Sequence, residues 1–303
     1  MINNLINKII LIFNLLLIKP FYVLIKLFFT PSEKSIKKLK FKGKFKVRTD
    51  DNKSFFLYNN GFFLENSIFW LGMENFKWEF MTRKIWIHLS YSSKVIFDIG
   101  ANTGIYAILA KVYNPKSKIF AFEPQPNIYN VLKKNNQINY FDISCENIAI
   151  SNDEGVVPFF NYGSKSFSKN NTTAGSLNKN WRTKNQHSIL VSVNKLGNYI
   201  KEKKINRADL IKIDVETLEF EVLEGLNKYI ELFKPIIILE IQNQYIGNNI
   251  SSLMLKKHYS FFNIDEENGL KLTQTLGEDE KHRNYLICPN TKMDIVKKFI
   301  FKN

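Results

Sequence analysis

The sequence has few of the residues that build metal centres and disulfide frameworks. Its 303 residues include 2 cysteines and 4 histidines. Cys145 and Cys288 lie in apolar, strand-like runs, and neither has a neighbour at the spacing of metal ligands or of a redox pair. We therefore interpret both as small core residues in a reducing, cytoplasmic compartment, and we predict no resident metal. No histidine falls at the end of a predicted strand, although His187 lies in a variable loop that could reach a substrate.

Acidic residues are outnumbered by basic ones, 28 to 43, so the formal net charge is +15. The excess is concentrated at one end, because residues 1–50 contain eleven basic and two acidic residues. The rest of the chain therefore carries only +6. It has no basic stripe interleaved with aromatic residues, which is typical of nucleic-acid sites, and we predict no nucleic-acid partner.

The N-terminal segment lacks an uninterrupted apolar run of membrane-spanning length. Residues 1–29 are strongly apolar, but Lys19 and Pro20 interrupt them. A spanning helix needs roughly 20 apolar residues with few charges. The small residues of a signal-peptide cleavage site are also missing after the apolar stretch. Both a spanning helix and a cleaved leader are therefore disfavoured.

The same segment has features of a peripheral membrane anchor. The spacing of Lys8, Lys19 and Lys26 places them on one stripe of a helix, from which all three could snorkel towards a membrane surface. The strongly basic run 34–48 follows, and it would suit an anionic surface on the inner face of a membrane. A helix packed on the protein's own core, followed by solvated lysines, explains the pattern as well, so both interpretations stay open.

The hydropathy pattern divides the chain into three parts. We predict an apolar, basic helical segment over 1–40, a lead-in over 41–90 and an α/β domain over 91–290. Alternation and turn signals predict that the lead-in is β-rich over 41–72, and apolar spacing predicts a helix over 73–90.

From Lys94 onward, apolar strands alternate with helical runs, which predicts a doubly wound, mostly parallel sheet with helices on both faces. An excursion over 152–207 interrupts the alternation with two β-like runs and a long polar loop. Loops of that length are typical of functional or disordered segments, and we assign the choice of acceptor to 152–190. Two strands over 259–288, joined by a polar stretch, would close the sheet as an antiparallel hairpin.

Polar side chains follow the predicted strands where these strands end. In an open parallel sheet, ligands bind beyond the carboxyl ends of the strands. A carboxylate there costs free energy unless something pairs with it, and helix capping would explain only one or two such residues. This edge is therefore the predicted site, and its polar residues are Asp98, Asn102, Glu123, Asp214, Glu216 and Glu240.

The turn after the first of these strands indicates a charged cofactor. Gly100 and Gly104 bracket the turn and allow a positive φ and close approach to a ligand at the N-terminus of the next helix. Glu123, at the end of the following strand, could accept both ribose hydroxyls of an adenosine. Asp98 would repel the pyrophosphate of NAD but would suit the amine and sulfonium of S-adenosylmethionine. We therefore expect S-adenosylmethionine as the cofactor.

These residues resemble the FkbM-type methyltransferases of the class I, S-adenosylmethionine-dependent group. The resemblance covers about 75–241 and rests on several segments in family order and spacing. They are FDIGANTGIY, AFEPQPNIYNVLKKN, NIAISNDEG, DLIKIDVE with EFEVLEG, and KPIIILEI. The resemblance implies a Rossmann-like sheet of seven strands whose last strand is antiparallel.

The resemblance also implies roles for individual residues. The segment from Asp98 to Asn102 would surround the methionine part of the cofactor, Glu123 would bind the ribose, and the end of the third strand would lie near the adenine. Glu79 matches a family Glu ahead of the first strand, whose role stays open. With the turn glycines, the predicted cofactor-binding residues are Asp98, Gly100, Ala101, Asn102, Gly104, Glu123, Asn147, Ile148 and Ala149.

Two positions depart from the family pattern. Thr217 and Leu218 replace the usual Gly-Ala after the fourth strand, and Leu196-Gly197 replaces a Leu-Asp pair. The first change crowds a bend on the substrate side. We expect it to affect substrate identity or turnover and to leave cofactor binding unchanged.

Methyl transfer to a sugar hydroxyl requires alignment of the reactants and removal of a proton. We predict Asp214 as the general base, Glu216 as the next candidate, and Glu240 as a residue that orients the substrate. A magnesium ion held by Asp214, Glu240 and Asn243 is an alternative way to acidify the hydroxyl.

The predicted activity is O-methylation of a glycan or glycolipid hydroxyl. A nicotinamide-dependent oxidoreductase on the same fold and a non-catalytic, membrane-associated scaffold remain as alternative functions.

Overall fold

The lead-in is only partly β-structured. The computed structural model describes residues 17–162, 174–182, 184 and 186–301. At its N-terminal end the elements are α1 (Lys19–Lys26), α2 (Glu33–Ile36), β1 (Gly43–Arg48), β2 (Ser54–Asn59), α3 (Phe63–Asn75) and α4 (Phe80–Ser90). Strands β1 and β2 form an antiparallel hairpin. The predicted β-structure of 41–72 is therefore wrong from α3 onward. Residues 65–70 of α3 are all buried, so this helix has no polar face to reveal its period.

Helix α1 packs on the lead-in through one aromatic side chain. The ring of Tyr22 lies 6.4 Å from that of Phe41 and 5.1 Å from that of Trp70, centroid to centroid. Across the described part of the chain, no helix combines the length and apolar character needed to cross a bilayer.

The lysines of α1 point to the protein. The ammonium groups of Lys19 and Lys26 donate to the main-chain carbonyls of Lys44 and Phe69. One of the three N–H donors of each ammonium group is therefore used within the fold, which fits a helix packed on the protein's own core. The snorkelling of these lysines towards a membrane surface stays a prediction. Lys8 lies outside the described residues.

The α/β region follows the predicted alternation. Its strands in chain order are β3 (Val95–Ile99), β4 (Lys118–Phe122), β5 (Ser144–Glu146), β6 (Ala149–Ser151), β7 (Gly155–Tyr162), β8 (Gly175–Ser176), β9 (Gln186–Lys195), β10 (Leu210–Ile213), β11 (Ile236–Glu240), β12 (Tyr259–Asp265), β13 (Gly269–Thr273) and β14 (Asn284–Pro289). Its helices are α5 (Ile105–Tyr113), α6 (Pro126–Ile138), α7 (Leu196–Glu202), α8 (Glu219–Leu226), α9 (Tyr229–Phe233), α10 (Gln244–Leu255) and α11 (Met293–Val296).

The central sheet has eight strands in the order β13-β12-β14-β11-β10-β3-β4-β5. Strands β11, β10, β3, β4 and β5 are parallel, and β14 is antiparallel to both of its neighbours. The doubly wound sheet with an antiparallel last strand is therefore confirmed. The expected number of seven strands is one too few, because the polar stretch after β12 contains the edge strand β13.

Each face of the sheet is covered by its own apolar core. Side chains alternate along the central strands, so Ile96 and Leu210 face the core that includes α4 and α5. Phe97 and Ile211 face the core that includes α7, α8 and α10. Helix α10 follows β11 and is absent from the sequence prediction.

The excursion forms a second sheet of order β6-β9-β7-β8. Its two predicted β-runs pair antiparallel as β7 and β9. The third strand of the alternation, over residues 143–150, is predicted to be one strand but is divided between the two sheets, because β5 stays in the central sheet and β6 pairs with β9. The chain thus changes sheets at residues 147–148, beside the predicted site. Residues 163–173 of the long loop lie outside the described part.

The glycine at position 197 is explained by close helix packing. A Cβ at Gly197 would stand 2.8 Å from the carbonyl oxygen of Gly225, and one at Gly225 would stand 2.2 Å from that of Ser151. Because neither glycine has a side chain, α7 packs closely on α8 at Gly197, and α8 packs closely on β6 at Gly225. A side chain as large as the family's Asp would not fit at position 197 without moving the helices.

Candidate active site

Two adjoining clefts lie at the carboxyl ends of the parallel strands. The first has a volume of about 300 Å³ and the second about 320 Å³. Both are bordered by Gly100, Asn102 and Asp214. The predicted residues that line the first cleft are Gly100, Asn102, Glu123, Ile148, Ala149, Asp214, Glu216 and Glu240. Asp98 and Ala101 line the second.

The turn after β3 requires glycine at both expected positions. Gly100 has a φ of 77°, and a Cβ there would stand 1.9 Å from the carbonyl oxygen of Asp214. Gly104 has a φ of 92°, and its Cβ would stand 2.4 Å from Cδ1 of Leu132. Gly104 borders neither cleft. Because it has no side chain, α5 can begin close to Leu132 of α6.

Asp98 is buried where β3 meets the turn. Its Oδ2 accepts a hydrogen bond of 2.9 Å from the main-chain N–H of Ala107. Burial raises the pKa of Asp98 to about 7, although the Lys212 ammonium acts in the opposite direction. Asp98 therefore offers a desolvated carboxyl group to the second cleft.

Glu123 ties two loops of the first cleft together. Its Oε2 accepts from the N–H of Asn102 at 3.0 Å, and its Oε1 accepts from the N–H of Gln125 at 2.9 Å. Burial raises the pKa of Glu123 to about 8, against the effect of these hydrogen bonds. Each oxygen keeps a further lone pair with which it could accept from a ligand.

The residues predicted near an adenine behave differently from one another. Ile148 and Ala149 line the first cleft with their apolar surface. The side chain of Asn147 instead donates to the carbonyl oxygens of Glu123 and Pro124, at 2.8 and 3.0 Å. Asn147 thus fixes the loop after β4 and is not a lining residue.

Lys212 is a buried cation that the sequence analysis did not identify. It lies in β10 in register with Asp98, and it is 1% exposed. Its Nζ donates to Oδ2 of Asp214 at 2.9 Å and lies 4.6 Å from the ring centroid of Tyr106. Burial by itself lowers the pKa of Lys212. The nearby carboxylates of Asp214, Glu79 and Asp98 more than offset this effect and raise the pKa above its usual value, so Lys212 is charged. The sequence pattern that could have indicated this buried cation is a lysine within the short apolar strand LIKI, which is followed directly by Asp214.

Glu79 joins this group from the lead-in. It has a φ of 46°, and its carboxylate accepts from the Tyr106 hydroxyl at 2.5 Å and from the side-chain amide of Asn284 at 3.0 Å. Burial raises its pKa, and Lys212 opposes that rise. Glu79 therefore connects the start of α4 with α5 and β14 while it lines the first cleft.

A second acidic group forms around Gln242. The Gln242 side-chain amide donates to Oε2 of Glu216 and, at 2.9 Å, to Oε2 of Glu240. The indole N–H of Trp181, from the excursion, donates to the other end of that amide at 3.1 Å. Burial, followed by the charge of Asp214, raises the pKa of Glu216 to about 8 and that of Glu240 to about 7. The sequence analysis did not identify Gln242 or Trp181.

The departure at Thr217 is accommodated by a strained bend. Glu216 and Thr217 have φ values of 56° and 80°, which are rare for residues with a Cβ and above all for a β-branched one. The hydroxyl of Ser176 donates to the carbonyl oxygen of Glu216 at 2.7 Å, and the amide of Asn178 donates to the Thr217 hydroxyl at 2.9 Å. The excursion therefore holds the bend that carries Glu216.

The residues proposed to hold magnesium do not form a ligand set. Asp214 is paired with Lys212, and the side-chain oxygen of Asn243 accepts from the N–H of Ile246 at 2.9 Å as the N-cap of α10. Within the described ranges, no group of three His, Cys, Asp or Glu side chains could hold a metal ion. The magnesium alternative therefore has no support from the geometry.

Comparison with known proteins gives a family and several distant relatives. A family model described as the methyltransferase FkbM domain matches residues 98–269. The chain is similar to Methyltransferase sdnD of Sordaria araneosa, with 25% identity over 192 residues that cover 55% of this chain and 74% of that protein. It is also similar to hexuronic acid methyltransferase AglP of Haloferax volcanii, with 22% identity over 177 residues that cover 57% of this chain and 68% of that protein.

Among solved structures, the chain is similar to a methyltransferase FkbM from Methylobacillus flagellatus. The identity is 14%, the TM-score is 0.41, and the match covers 64% of this chain and 43% of that chain.

The role of Lys212 can be tested by its removal. Lys212→Met leaves the carboxylates around it without their cation, and we expect the free energy of unfolding to fall by about 3–5 kcal/mol. Urea denaturation of the variant and of Lys228→Met, at an exposed position, would measure this. A loss no larger than that of the Lys228 control would contradict the role of Lys212.

Proposed function

The chain belongs to the FkbM methyltransferase family, and from that premise we propose that it transfers a methyl group from S-adenosylmethionine to a hydroxyl group of a glycan or glycolipid. The observation that carries the proposal is the sign of the charge in the clefts. Among the described residues, the first cleft is lined by five carboxylates and by no Lys or Arg. In the second cleft, Lys212 is already paired with Asp214.

This charge fits a cationic donor better than a dinucleotide. S-adenosylmethionine, when bound, supplies a methyl group on a positively charged sulfur, and transfer of that methyl leaves S-adenosylhomocysteine. Glu123 and the apolar Ile148 and Ala149 suit its adenosine end, and Asp98 suits its amino group. The two phosphates of NAD would meet several buried carboxylates, and among the described residues that line the two clefts the one cation, Lys212, is already paired with Asp214.

We propose Glu216 as the general base, ahead of Asp214. One oxygen of Asp214 is occupied by the Lys212 ammonium, so less of this carboxylate is free to meet the acceptor hydroxyl. Glu216 has a raised pKa of about 8, close to the working pH, and it borders the first cleft. It would take the proton of the acceptor hydroxyl, while Glu240 and Gln242 position that hydroxyl.

A sugar acceptor is supported by the groups around this base. The carboxylates of Glu216 and Glu240 border the first cleft and can accept from hydroxyl groups. The Gln242 amide, which accepts from Trp181, holds the two carboxylates side by side. The relative whose name is hexuronic acid methyltransferase supports the same class of substrate.

We also propose that α1 docks on an anionic membrane. Its outward side and the residues next to it expose several large apolar side chains, and Phe28 is the most exposed of them at 89%. The basic run 34–48 lies directly after it in the chain, and it complements anionic lipid. Such a surface would bring the clefts to lipid-linked glycans. The exposed apolar residues are Leu17, Phe21, Val23, Leu24, Ile25, Leu27, Phe28 and Phe29.

Cofactor binding distinguishes the proposed activity from an oxidoreductase. Isothermal titration should detect S-adenosylmethionine and S-adenosylhomocysteine and should detect neither NAD nor NADP. Asp98→Asn should weaken S-adenosylhomocysteine about tenfold or more, because a charge-assisted hydrogen bond is lost. Glu231→Gln, at an exposed carboxylate, should change nothing. Binding of NAD alone would overturn the donor assignment.

The base assignment predicts a pH dependence. A carboxyl group must be ionised to accept a proton, so kcat/KM should rise with pH as the Glu216–Glu240 pair titrates at its raised pKa. The value should be half-maximal near pH 8, the pKa of Glu216, and level off about one unit above it. Glu216→Gln should lower kcat about 10²–10⁴-fold and change the dissociation constant of S-adenosylhomocysteine little. The control is Glu224→Gln, exposed on α8.

Labelled S-adenosylmethionine and envelope glycans would provide the assay. A methyl ether on a hydroxyl survives mild alkali, whereas a methyl ester is hydrolysed. Full turnover by Glu216→Gln, or a rate that levels off near pH 5, would contradict Glu216 as the base. Release of no S-adenosylhomocysteine with any envelope extract would favour the scaffold alternative.

Membrane docking predicts co-sedimentation of the full chain with vesicles that contain about 30% phosphatidylglycerol, and less binding to pure phosphatidylcholine or in high salt. Combined Phe21→Ser, Leu24→Ser and Phe28→Ser should reduce binding at least tenfold through loss of buried apolar area. A control with Val156→Ser, Leu190→Ser and Leu232→Ser removes exposed apolar side chains elsewhere. No binding by the natural chain, or equal loss in the control, would contradict the docking.

A further inference from the structure

A second buried carboxylate borders the cleft that contains Asp98. Glu65 lies in the first turn of α3 and is 0% exposed. It lines the second cleft together with Ala101, Asn102 and Tyr106. Within the described part of the protein, neither oxygen of its carboxyl group has a hydrogen-bond partner. A buried polar group in that state destabilises the fold, which points to a ligand that completes it.

The surroundings of Glu65 contain no spare cation. Lys212 is the one Lys or Arg among the described residues that line this cleft, and its ammonium is bound to Asp214 at 2.9 Å. Burial raises the pKa of Glu65 to about 7. The Thr103 hydroxyl and the main-chain N–H of Glu65 act in the opposite direction, but neither meets the carboxyl group with the distance and angles of a hydrogen bond. The N-terminal turn of α3 gives some further support to negative charge. The cleft therefore has an excess of acceptors over donors.

The two clefts together have the layout of one extended ligand. Gly100, Asn102 and Asp214 border both of them, so a molecule held at Glu123 in the first cleft would pass this border and end in the second. The end that enters the second cleft meets the carboxyl groups of Asp98 and Glu65. An ammonium group has three donors, which suit two such acceptors.

On the basis of the proposed function, we propose that Glu65 binds the α-ammonium group of S-adenosylmethionine alongside Asp98. This contact comes from the lead-in, outside the residues 98–269 that match the family model. The lead-in would then be part of the cofactor site as well as a support for the sheet.

The test compares two ligands that differ in the amino-acid part. S-adenosylhomocysteine has the α-ammonium group, and 5′-methylthioadenosine has the same adenosine and thioether without it. By titration calorimetry, Glu65→Gln should weaken S-adenosylhomocysteine about tenfold or more and leave 5′-methylthioadenosine within about twofold. Asp98→Asn should show the same pattern as Glu65→Gln, whereas Glu123→Gln should weaken the binding of both ligands. The control is Glu74→Gln, at an exposed position of α3, which should affect the binding of neither ligand.

Thermal unfolding without ligand separates binding from a structural role. A carboxyl group with a raised folded-state pKa destabilises the fold progressively as pH rises from its unfolded value towards about 7. Glu65→Gln removes that cost, so its Tm relative to the natural chain should increase from pH 5 to pH 8. A variant that is less stable at pH 8, or that weakens both ligands or neither, would overturn the role of Glu65. If the natural chain bound neither ligand, the donor assignment itself would fail.

Discussion

The site depends on one buried ammonium group among several carboxylates. Lys212 lies in the sheet between the register position of Asp98 and the side chain of Asp214, above the ring of Tyr106. Tyr106 in turn donates to Glu79. Strand ends that carry this many acidic groups would repel one another in a low-dielectric interior, and a central cation offsets that repulsion. The arrangement links β3, β10, α5 and the lead-in at one point.

This arrangement divides the carboxylates into two classes. Asp214 is paired with the buried Lys212, which suits a structural role at the border of both clefts. Glu123, Glu216 and Glu240 have no hydrogen bond to this ammonium group, and the half-exposed Arg283 lies 3.9 Å from Glu240. Burial raises the pKa of each of the three to about 7 or 8. A desolvated carboxyl group gains most from a cationic ligand or an acidic hydroxyl, because either one supplies the donor or proton that the interior lacks. Methyl transfer from a cationic donor to a hydroxyl uses both properties.

Segments outside the regular α/β alternation complete the site. The lead-in contributes Glu79 to the first cleft and Glu65 to the second. The excursion holds the strained bend at Glu216 through Ser176, and it contacts Gln242 through Trp181. The sheet therefore provides the positions of the strand ends, while the added segments supply further lining residues and hold the bend at Glu216. Proteins with a similar sheet could bind different substrates if these added segments differed between them.

The alternation of β3 to β11, the glycine turn and the row of acids at the strand ends could be predicted from the sequence. These features follow from burial period and backbone sterics, which act over a few residues. The folded structure was needed to show that Lys212 pairs with Asp214, that Gln242 joins Glu216 to Glu240, and that Glu65 lines the second cleft. It also added β13 and moved β6 to a second sheet. Such outcomes depend on strand register and on which distant segments pack together, and neither is encoded in a local pattern of hydrophobicity.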